Sequence, residues 1–153
     1  MAIHFLNQDV KFTLKNKTKI RYWISAVINQ HKKQLGVISY LFCDDEHIYD
    51  INVSFLKHNT YTDIITFDYV EGDTVSGDIV ISVERVKDNA RSLGVPFEQE
   101  LHRVIIHGVL HLLGFKDKNP KDAALMRRKE EECLILYDRL SDSVSRETIM
   151  VLV

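Results

Sequence analysis

The sequence predicts an α+β fold in which a small mixed β-sheet packs against about five helices. Short runs rich in β-branched and aromatic residues alternate with longer segments whose apolar residues recur at helical spacing. One helical segment, residues 104–113, is apolar on almost every side, which is typical of a helix at the centre of a domain. With 153 residues, 45% of them hydrophobic, the chain is long enough to bury one full core. We therefore expect a single domain over residues 1–153, with residues 141–153 as a peripheral tail.

The first part of the chain predicts two strands and two helices in alternation. Residues 10–14 alternate apolar and polar side chains as a half-buried strand does, and residues 17–34 then carry apolar residues at helical spacing. Residues 37–43 are rich in β-formers and predict the second strand. Asp44 and the aspartate that follows it can cap a short helix that runs to about Phe55.

The second part predicts a β-hairpin and then three helices. The hairpin comes from two β-rich runs separated by a longer loop that contains glycine. Gly94 is placed to end the first of the helices, and Pro120 suits the first turn of the last one. In order, we expect a polar loop at 57–62, strands at 63–69 and 78–82, and helices at 83–93, 97–113 and 119–140.

Composition and charge exclude several classes of protein. A net charge of -2 with 27% charged residues lacks the global basic excess of many nucleic-acid-binding proteins, so any RNA or DNA contact would depend on a local patch. Cys43 and Cys133 have no paired spacing, which argues against a disulfide framework and favours a reducing compartment. We see no secretory signal, and no segment reaches the roughly 18 apolar residues of a membrane span. We expect a cytoplasmic protein, of an oligomeric state that these features leave open.

The main functional signal lies at the end of the apolar helix. His107 and His111 are four residues apart, which places their Cβ atoms roughly 5–6 Å apart on one helical face, within reach of one metal ion. Gly114 can adopt the left-handed conformation that ends a helix, so the chain can turn back and bring Asp117 to the same ion. A single histidine on an apolar helix is more often a hydrogen-bonded core residue. The combination of these residues predicts a metal site instead.

The donor set and the spacing indicate zinc at a hydrolytic site. Zinc prefers four ligands, and three protein ligands leave the last position for water, whose pKa falls to about 7 on the metal. We therefore predict one zinc ion per chain. The spacing equals that of the metzincin proteases, except that Gly108 stands where those enzymes have a glutamate as general base. Its absence argues against peptide hydrolysis by their route.

The same stretch carries a resemblance to a known family. Residues 107–115, His-Gly-Val-Leu-His-Leu-Leu-Gly-Phe, closely resemble the signature of the YbeY family, and residues 63–67 and 77–82 resemble two further landmarks of that family. The resemblance runs from about residue 36 to residue 138. It implies a zincin-like fold with the metal-bearing helix at its centre. It also implies a metal-dependent, single-strand-specific endoribonuclease that acts on ribosomal RNA, in maturation of the small-subunit 3′ end and in ribosome quality control.

Two positions depart from the family pattern. The usual family signature ends in a third histidine ligand, where this chain has Asp117, and aspartate is an acceptable oxygen ligand that would make the site more anionic. The family commonly has an arginine, a candidate for holding a phosphate, where this chain has Leu56. Candidate replacements in catalysis are His58 and Arg103, with Lys57 as a candidate RNA contact; the arginine lies one helical turn before the first histidine ligand.

A basic run near the N-terminus is a further candidate for contact with the RNA backbone. Runs of this kind are more often solvated faces, but phosphate binding requires them. The candidate residues are Lys15, Lys17, Lys19 and Arg21.

Two other functions stay open at this stage. One is a metallohydrolase of peptides or small molecules, which would need an aspartate or glutamate beside the metal in place of Gly108. The other is a non-catalytic, ribosome-associated module in which the metal only stabilises the fold.

Overall fold

The computed structural model describes residues 2–56 and 62–140, which form four strands and five helices. This confirms the predicted α+β class, with a small mixed sheet and about five helices. The predicted tail at 141–153 lies outside the described residues, and the single domain stays a prediction. In chain order the elements are β1 (Ala2–Asn7), α1 (Lys17–Gln30), β2 (Gln34–Cys43), α2 (Asp45–Leu56), β3 (Ile64–Asp68), β4 (Thr74–Ser82), α3 (Val83–Leu93), α4 (Phe97–Leu112) and α5 (Pro120–Arg139).

The strands form one sheet in the order β1-β2-β4-β3. The first three strands in this order run parallel to one another, and β3 pairs antiparallel with β4 as the predicted hairpin. Strand β3 therefore lies at an edge of the sheet. In the register of β3 with β4, Ile65 pairs with Val80, and just before β3 the carbonyl of Asp63 accepts from the N–H of Ser82. Because hydrogen-bonded pairs alternate along an antiparallel ladder, the backbone N–H and C=O groups of the odd-numbered residues of β3 face β4. The backbone groups of the even residues face outward from the sheet edge.

The core lies on one face of the sheet, where α1, α4 and α5 pack. Trp23, Tyr40 and Ile105 are fully buried in it. The polar atoms of the first two are satisfied within the core, since the Trp23 indole donates to the carbonyl of Cys133 at 2.7 Å and the Tyr40 hydroxyl donates to the carbonyl of Ile105 at 2.9 Å. Helix α2 lies on the other face, over a smaller cluster that contains Cys43, Ile48, Ile65 and Val80.

Helix α4 is the central helix, as its apolar sequence predicts. It is buried along most of its length, and Gly108 is its point of closest approach to the sheet. A Cβ atom at Gly108 would lie 2.9 Å from Cδ1 of Ile79 and 3.2 Å from Cδ1 of Ile64. These separations are too short for ordinary packing, so the helix can approach β4 and β3 this closely only because residue 108 has no side chain. Packing therefore accounts for glycine at the position where metzincins have glutamate.

The predicted helix boundaries in the second half are confirmed by their capping contacts. The Ser82 hydroxyl accepts from the N–H of Arg85 at the start of α3, and Gly94 ends that helix with a φ of 69°. Asn119 caps α5 in the same way, with proline in its first turn. At α2, the carboxylate of Asp44 accepts from the N–H of His47, as expected for a capping aspartate.

Two predictions in the first half are wrong. Residues 10–14 form no strand. The alternation of apolar and polar side chains there reflects burial instead, since Leu14 is buried and Phe12 packs against Phe42. The first strand is β1 instead, which pairs with β2. The helix predicted to reach residue 34 ends at Gln30, because the chain turns with Lys32 at a φ of 57° and the next residues enter β2.

None of the helices within residues 2–56 and 62–140 is both long and apolar enough to cross a membrane.

We expect Gly108→Val to destabilise the fold by about 1–3 kcal/mol, because the added methyl groups must displace Ile79 in a packed core. The measurement is the free energy of unfolding in urea. The control is Gln99→Val, an exposed position on the same helix, which should cost only a few tenths of a kcal/mol through helix propensity. Equal losses in the two variants would contradict the close-packing account.

Candidate metal centre

Three side chains converge at the C-terminal end of α4. The Nε2 atom of His107 lies 3.3 Å from Oδ2 of Asp117, and the Nε2 atom of His111 lies 3.4 Å from the same oxygen. The three donor atoms all lie within 4.8 Å of one another. In a tetrahedral site with bonds of about 2.0–2.1 Å, donor atoms are about 3.3–3.4 Å apart, which matches both measured distances. The predicted histidine and aspartate side chains are thus brought together at a spacing that fits a metal ion.

The local fold delivers the aspartate as the sequence predicts. After the last turn of α4, Gly114 takes a φ of 101°, and its N–H donates to the carbonyl of His111 at 3.0 Å. The N–H of Phe115 donates to the carbonyl of Leu110, which closes the helix end and reverses the chain. Asp117 then returns to the face that carries both histidines.

Each imidazole is held in position by a hydrogen bond from Nδ1, the ring nitrogen that faces away from Asp117. The Nδ1–H of His107 donates to Oε2 of Glu130 at 2.6 Å, and the Nδ1–H of His111 donates to the carbonyl of Phe115 at 3.0 Å. With an acceptor on each Nδ1, the proton resides there and the Nε2 lone pairs point toward Asp117. This is the tautomer that a metal-binding histidine requires.

Glu130 reaches His107 from α5 and is itself held in place. It is only 5% exposed, and its Oε1 accepts from the Arg103 guanidinium at 3.1 Å. Burial alone would lower the pKa of His107, but the hydrogen bond and charge of Glu130, with the charges of Asp117 and Asp63, raise it above its ordinary value. The surroundings of His107 are therefore strongly anionic and favour a bound cation.

The three donors line a cavity of about 760 Å³ at the edge of the sheet. Strand β3 forms one wall, and Leu56 at the end of α2 extends the lining to the other side of the sheet edge. Asp63 also lines it, and burial raises the pKa of this carboxyl, opposed by the charge of His107 and a hydrogen bond from Asn89. Lys116 and Lys118, on either side of the ligand aspartate, complete the charged part of the lining.

The other predicted site residues lie elsewhere in the fold or outside the described residues. Arg103 holds Glu130 and donates to Glu131 at 2.9 Å, and the described lining of the cavity does not include it. Its contact with a phosphate stays a prediction. Lys57 and His58 lie outside the described residues.

The basic run lies on and before α1, and the described cavity lining does not include it. Lys19 is buried with its ammonium 4.0 Å from the centre of the Tyr137 ring. The Arg21 guanidinium donates to the carbonyl of Ile3 at 3.1 Å. Lys15 and Lys17 are exposed. A role of these residues in RNA binding stays a prediction.

Sequence reasoning missed four residues of the site. Glu130 left a signal, because it falls in the buried stripe of α5 formed by Met126, Cys133 and Tyr137, where a carboxylate needs a partner. Asp63 belongs to a landmark motif, but the motif alone does not indicate a chemical role for it. Lys116 and Lys118 gave no signal beyond their position beside Asp117.

The chain is similar to known proteins along most of its length. The family model described as "Endoribonuclease YbeY" matches residues 3–138. Proteins named endoribonuclease YbeY from Flavobacterium johnsoniae and Porphyromonas gingivalis are 51% and 52% identical to this chain, over 86% and 88% of it and 94% and 89% of their own lengths. A solution structure of a Thermotoga maritima protein superimposes with a TM-score of 0.64 at 25% identity, covering 95% of this chain and 97% of that one.

We expect Glu130→Gln to weaken the binding of a divalent metal by about 10–100-fold, because the neutral amide orients His107 less strongly and makes its Nε2 a poorer donor. Isothermal titration with zinc measures the affinity directly. Glu131→Gln is the control: it removes a carboxylate that contacts Arg103 at 54% side-chain exposure but does not touch a histidine. An affinity unchanged in Glu130→Gln, or lowered equally in both variants, would contradict this role.

Proposed function

The chain belongs to the YbeY family of endoribonucleases, and on that premise we propose that it is a zinc-dependent endoribonuclease that cleaves single-stranded RNA. We extend the proposal to ribosomal RNA as substrate, in maturation of the small-subunit 3′ end and in ribosome quality control, with the ribosome or its small subunit as partner in the cytoplasm. The observation that carries the proposal is the convergence of His107, His111 and Asp117 in one cavity, with each Nε2 at 3.3 or 3.4 Å from the aspartate oxygen and all three donor atoms within 4.8 Å of one another.

Three side chains would hold the metal, and hydrogen bonds to neighbouring groups keep two of them in position. His107 and His111 would hold it through Nε2 and Asp117 through a carboxylate oxygen. Zinc, when bound, supplies Lewis acidity that activates water and polarises a phosphoryl oxygen at neutral pH. The hydrogen bonds on the two Nδ1 atoms keep both rings in position, so the site is organised before substrate binds.

Asp63 is the carboxyl group available for proton transfer in the same cavity. Asn89 donates to its Oδ2 at 3.3 Å and fixes the group, and burial raises its pKa, which makes the carboxylate a stronger base. A carboxyl group of raised pKa in a cavity can take a proton from water and return it to a leaving oxygen. We assign Asp63 this role, which the metzincin glutamate has in the proteases and which Gly108 cannot have here.

Lys116 and Lys118 are the cations that we assign to the substrate phosphate. A phosphodiester must approach a cavity that already carries the carboxylates of Asp63, Asp68 and Asp117, so added positive charge is required. Among the residues that the structure describes in the lining, these two lysines provide it. They are exposed and lie beside the metal-binding position, where they can contact a phosphate without losing solvation first.

Peptide hydrolysis is a second candidate that one observation favours. It requires a carboxylate near the metal in place of the metzincin glutamate, and Asp63 lines the metal cavity. Family membership favours RNA over peptide, and the two substrates are separated by direct assay.

The purified protein should contain close to one zinc ion per chain and cleave single-stranded RNA, and His111→Ala should lose both properties, because two remaining protein ligands bind zinc weakly. Metal analysis and an RNA cleavage assay make the measurement, with His47→Ala on α2 as a histidine control outside the cavity lining. Cleavage of a peptide library but not of RNA would favour the second candidate. Metal-free protein purified without chelator would contradict the proposal.

Replacing Lys116 and Lys118 together by alanine should raise KM for RNA and leave zinc content unchanged. The slope of log affinity against log salt should fall by about 0.7 for each phosphate of a single strand that the variant no longer neutralises. Lys121→Ala, an exposed lysine outside the cavity lining, is the control. A double variant with the KM and salt slope of the wild type would contradict this assignment.

A further inference from the structure

The face of the sheet opposite the main core is only partly covered. Helix α2 packs on it over Cys43, Val80 and Ile65, at one end of the strands. Beyond that end, side chains of all four strands lie on the same face in register. Phe67 pairs with Asp78, Asp78 with Ser39, and Ser39 with His4. This row continues the sheet surface away from α2.

A groove of about 590 Å³ lies on this face, and its rim is aromatic and exposed. Phe55 from the last turn of α2 is 70% exposed, and Tyr69 just after β3 is 56% exposed. Phe67 lies between them at the base of the groove, with its ring centre 6.3 Å from that of Phe55 and the two planes at 85°. Single exposed apolar residues are ordinary, but exposed aromatic rings grouped around one groove indicate a binding surface.

The groove adjoins the metal cavity along two shared elements. At the end of α2, Leu56 lines the metal cavity and the preceding residue, Phe55, lines the groove. Along β3, Thr66 and Asp68 line the metal cavity, and the residue between them, Phe67, lines the groove. Because successive side chains of a strand point to opposite faces, the two sites lie on the two faces of β3, and a chain that leaves the metal position crosses the edge of β3 to reach the groove.

The polar groups of the groove suit a nucleobase better than a phosphate. Asp78 and Ser39 place acceptor oxygens beside the aromatic rings of the groove. A carboxylate repels a phosphate but accepts hydrogen bonds from the exocyclic amino group of a base. The cations of the metal cavity, Lys116 and Lys118, lie on the other side of β3, where the backbone would bind. Sites for single-stranded nucleic acid likewise combine a positively charged surface for the backbone with aromatic rings on which the bases stack.

We propose that this groove is a base-binding subsite for the RNA nucleotide next to the cleaved phosphodiester, which stacks on Phe55 and Tyr69 and presents an amino group to Asp78. The subsite rests on the proposed function, because it takes the RNA that crosses the metal cavity. It accepts cytosine, adenine or guanine in preference to uracil, since uracil has no exocyclic amino group to donate. Stacking needs an unpaired base, so the subsite also accounts for selection of single strands.

The test uses full-length zinc-loaded protein and a short single-stranded RNA that carries 2-aminopurine. Phe55→Ala and Tyr69→Ala are each expected to weaken binding about tenfold, as measured by fluorescence anisotropy, and to reduce the quenching of 2-aminopurine that stacking produces. Tyr69→Phe keeps the ring and should retain the quenching. Leu93→Ala removes an exposed apolar side chain outside the groove and should bind as the wild type does. Asp78→Asn should reduce the preference for cytosine over uracil.

The outcomes separate this inference from the proposed function. If the wild type cleaves RNA but Phe55→Ala and Tyr69→Ala bind and quench as it does, the subsite is refuted and the proposed function stands. If no RNA is cleaved but these variants still lose affinity and quenching, the groove binds RNA bases, and both the proposed function and the place of the subsite beside a cleaved phosphodiester are overturned. Weakened binding of a partner protein, with RNA affinity unchanged, would identify the groove as a protein interface and overturn the inference.

Discussion

The contact of helix α4 with the sheet at Gly108 determines where the site lies. Without a side chain at that position, the helix lies directly on Ile79 of β4 and Ile64 of β3. This contact fixes the orientation of the helix on the sheet. The helix face that bears His107 and His111 then lies at the edge of β3. A larger residue would push the helix off the sheet and move both imidazoles with it. The same packing explains why the glutamate that metzincin proteases use for catalysis is absent from this helix.

A chain of charged contacts connects this helix to α5 and makes the site anionic. Glu130 binds His107 on one side and Arg103 on the other, so one buried carboxylate fixes both the orientation of the imidazole and its protonated nitrogen. Together with Asp63 and Asp117 it surrounds the donor nitrogens with negative charge, which raises the pKa of His107. A bound cation offsets that charge. In the proposed function, the lysines at the rim would contact the substrate, and the carboxylates in the cavity would hold the metal and transfer the proton.

Sequence reasoning was most accurate where local chemistry decides the structure. The helix ends at Gly94 and Gly114 and the proline in the first turn of α5 depend on a few neighbouring residues, and each was predicted from the residue type. The candidate metal donors His107 and His111 were predicted for the same reason, since their helical spacing places both on one face of α4. Long-range pairing was harder to predict. The alternation at residues 10–14 comes from burial of Leu14 and Phe12 without strand pairing, and β1 was missed because its assignment depends on pairing with β2. Arg103 was expected at the substrate for its helical position, but that position also faces the glutamates of α5, which bind it.

X-ray absorption at the zinc edge tests the central claim most directly, because it reports the atoms bound to the metal in the intact protein. The account predicts a first shell of nitrogen and oxygen only, at about 2.0–2.1 Å, with the outer-shell scattering of two imidazole rings. Asp117→His should add a third imidazole contribution without changing the bond lengths. A sulfur contribution at about 2.3 Å, or a shell with no imidazole scattering, would contradict the account.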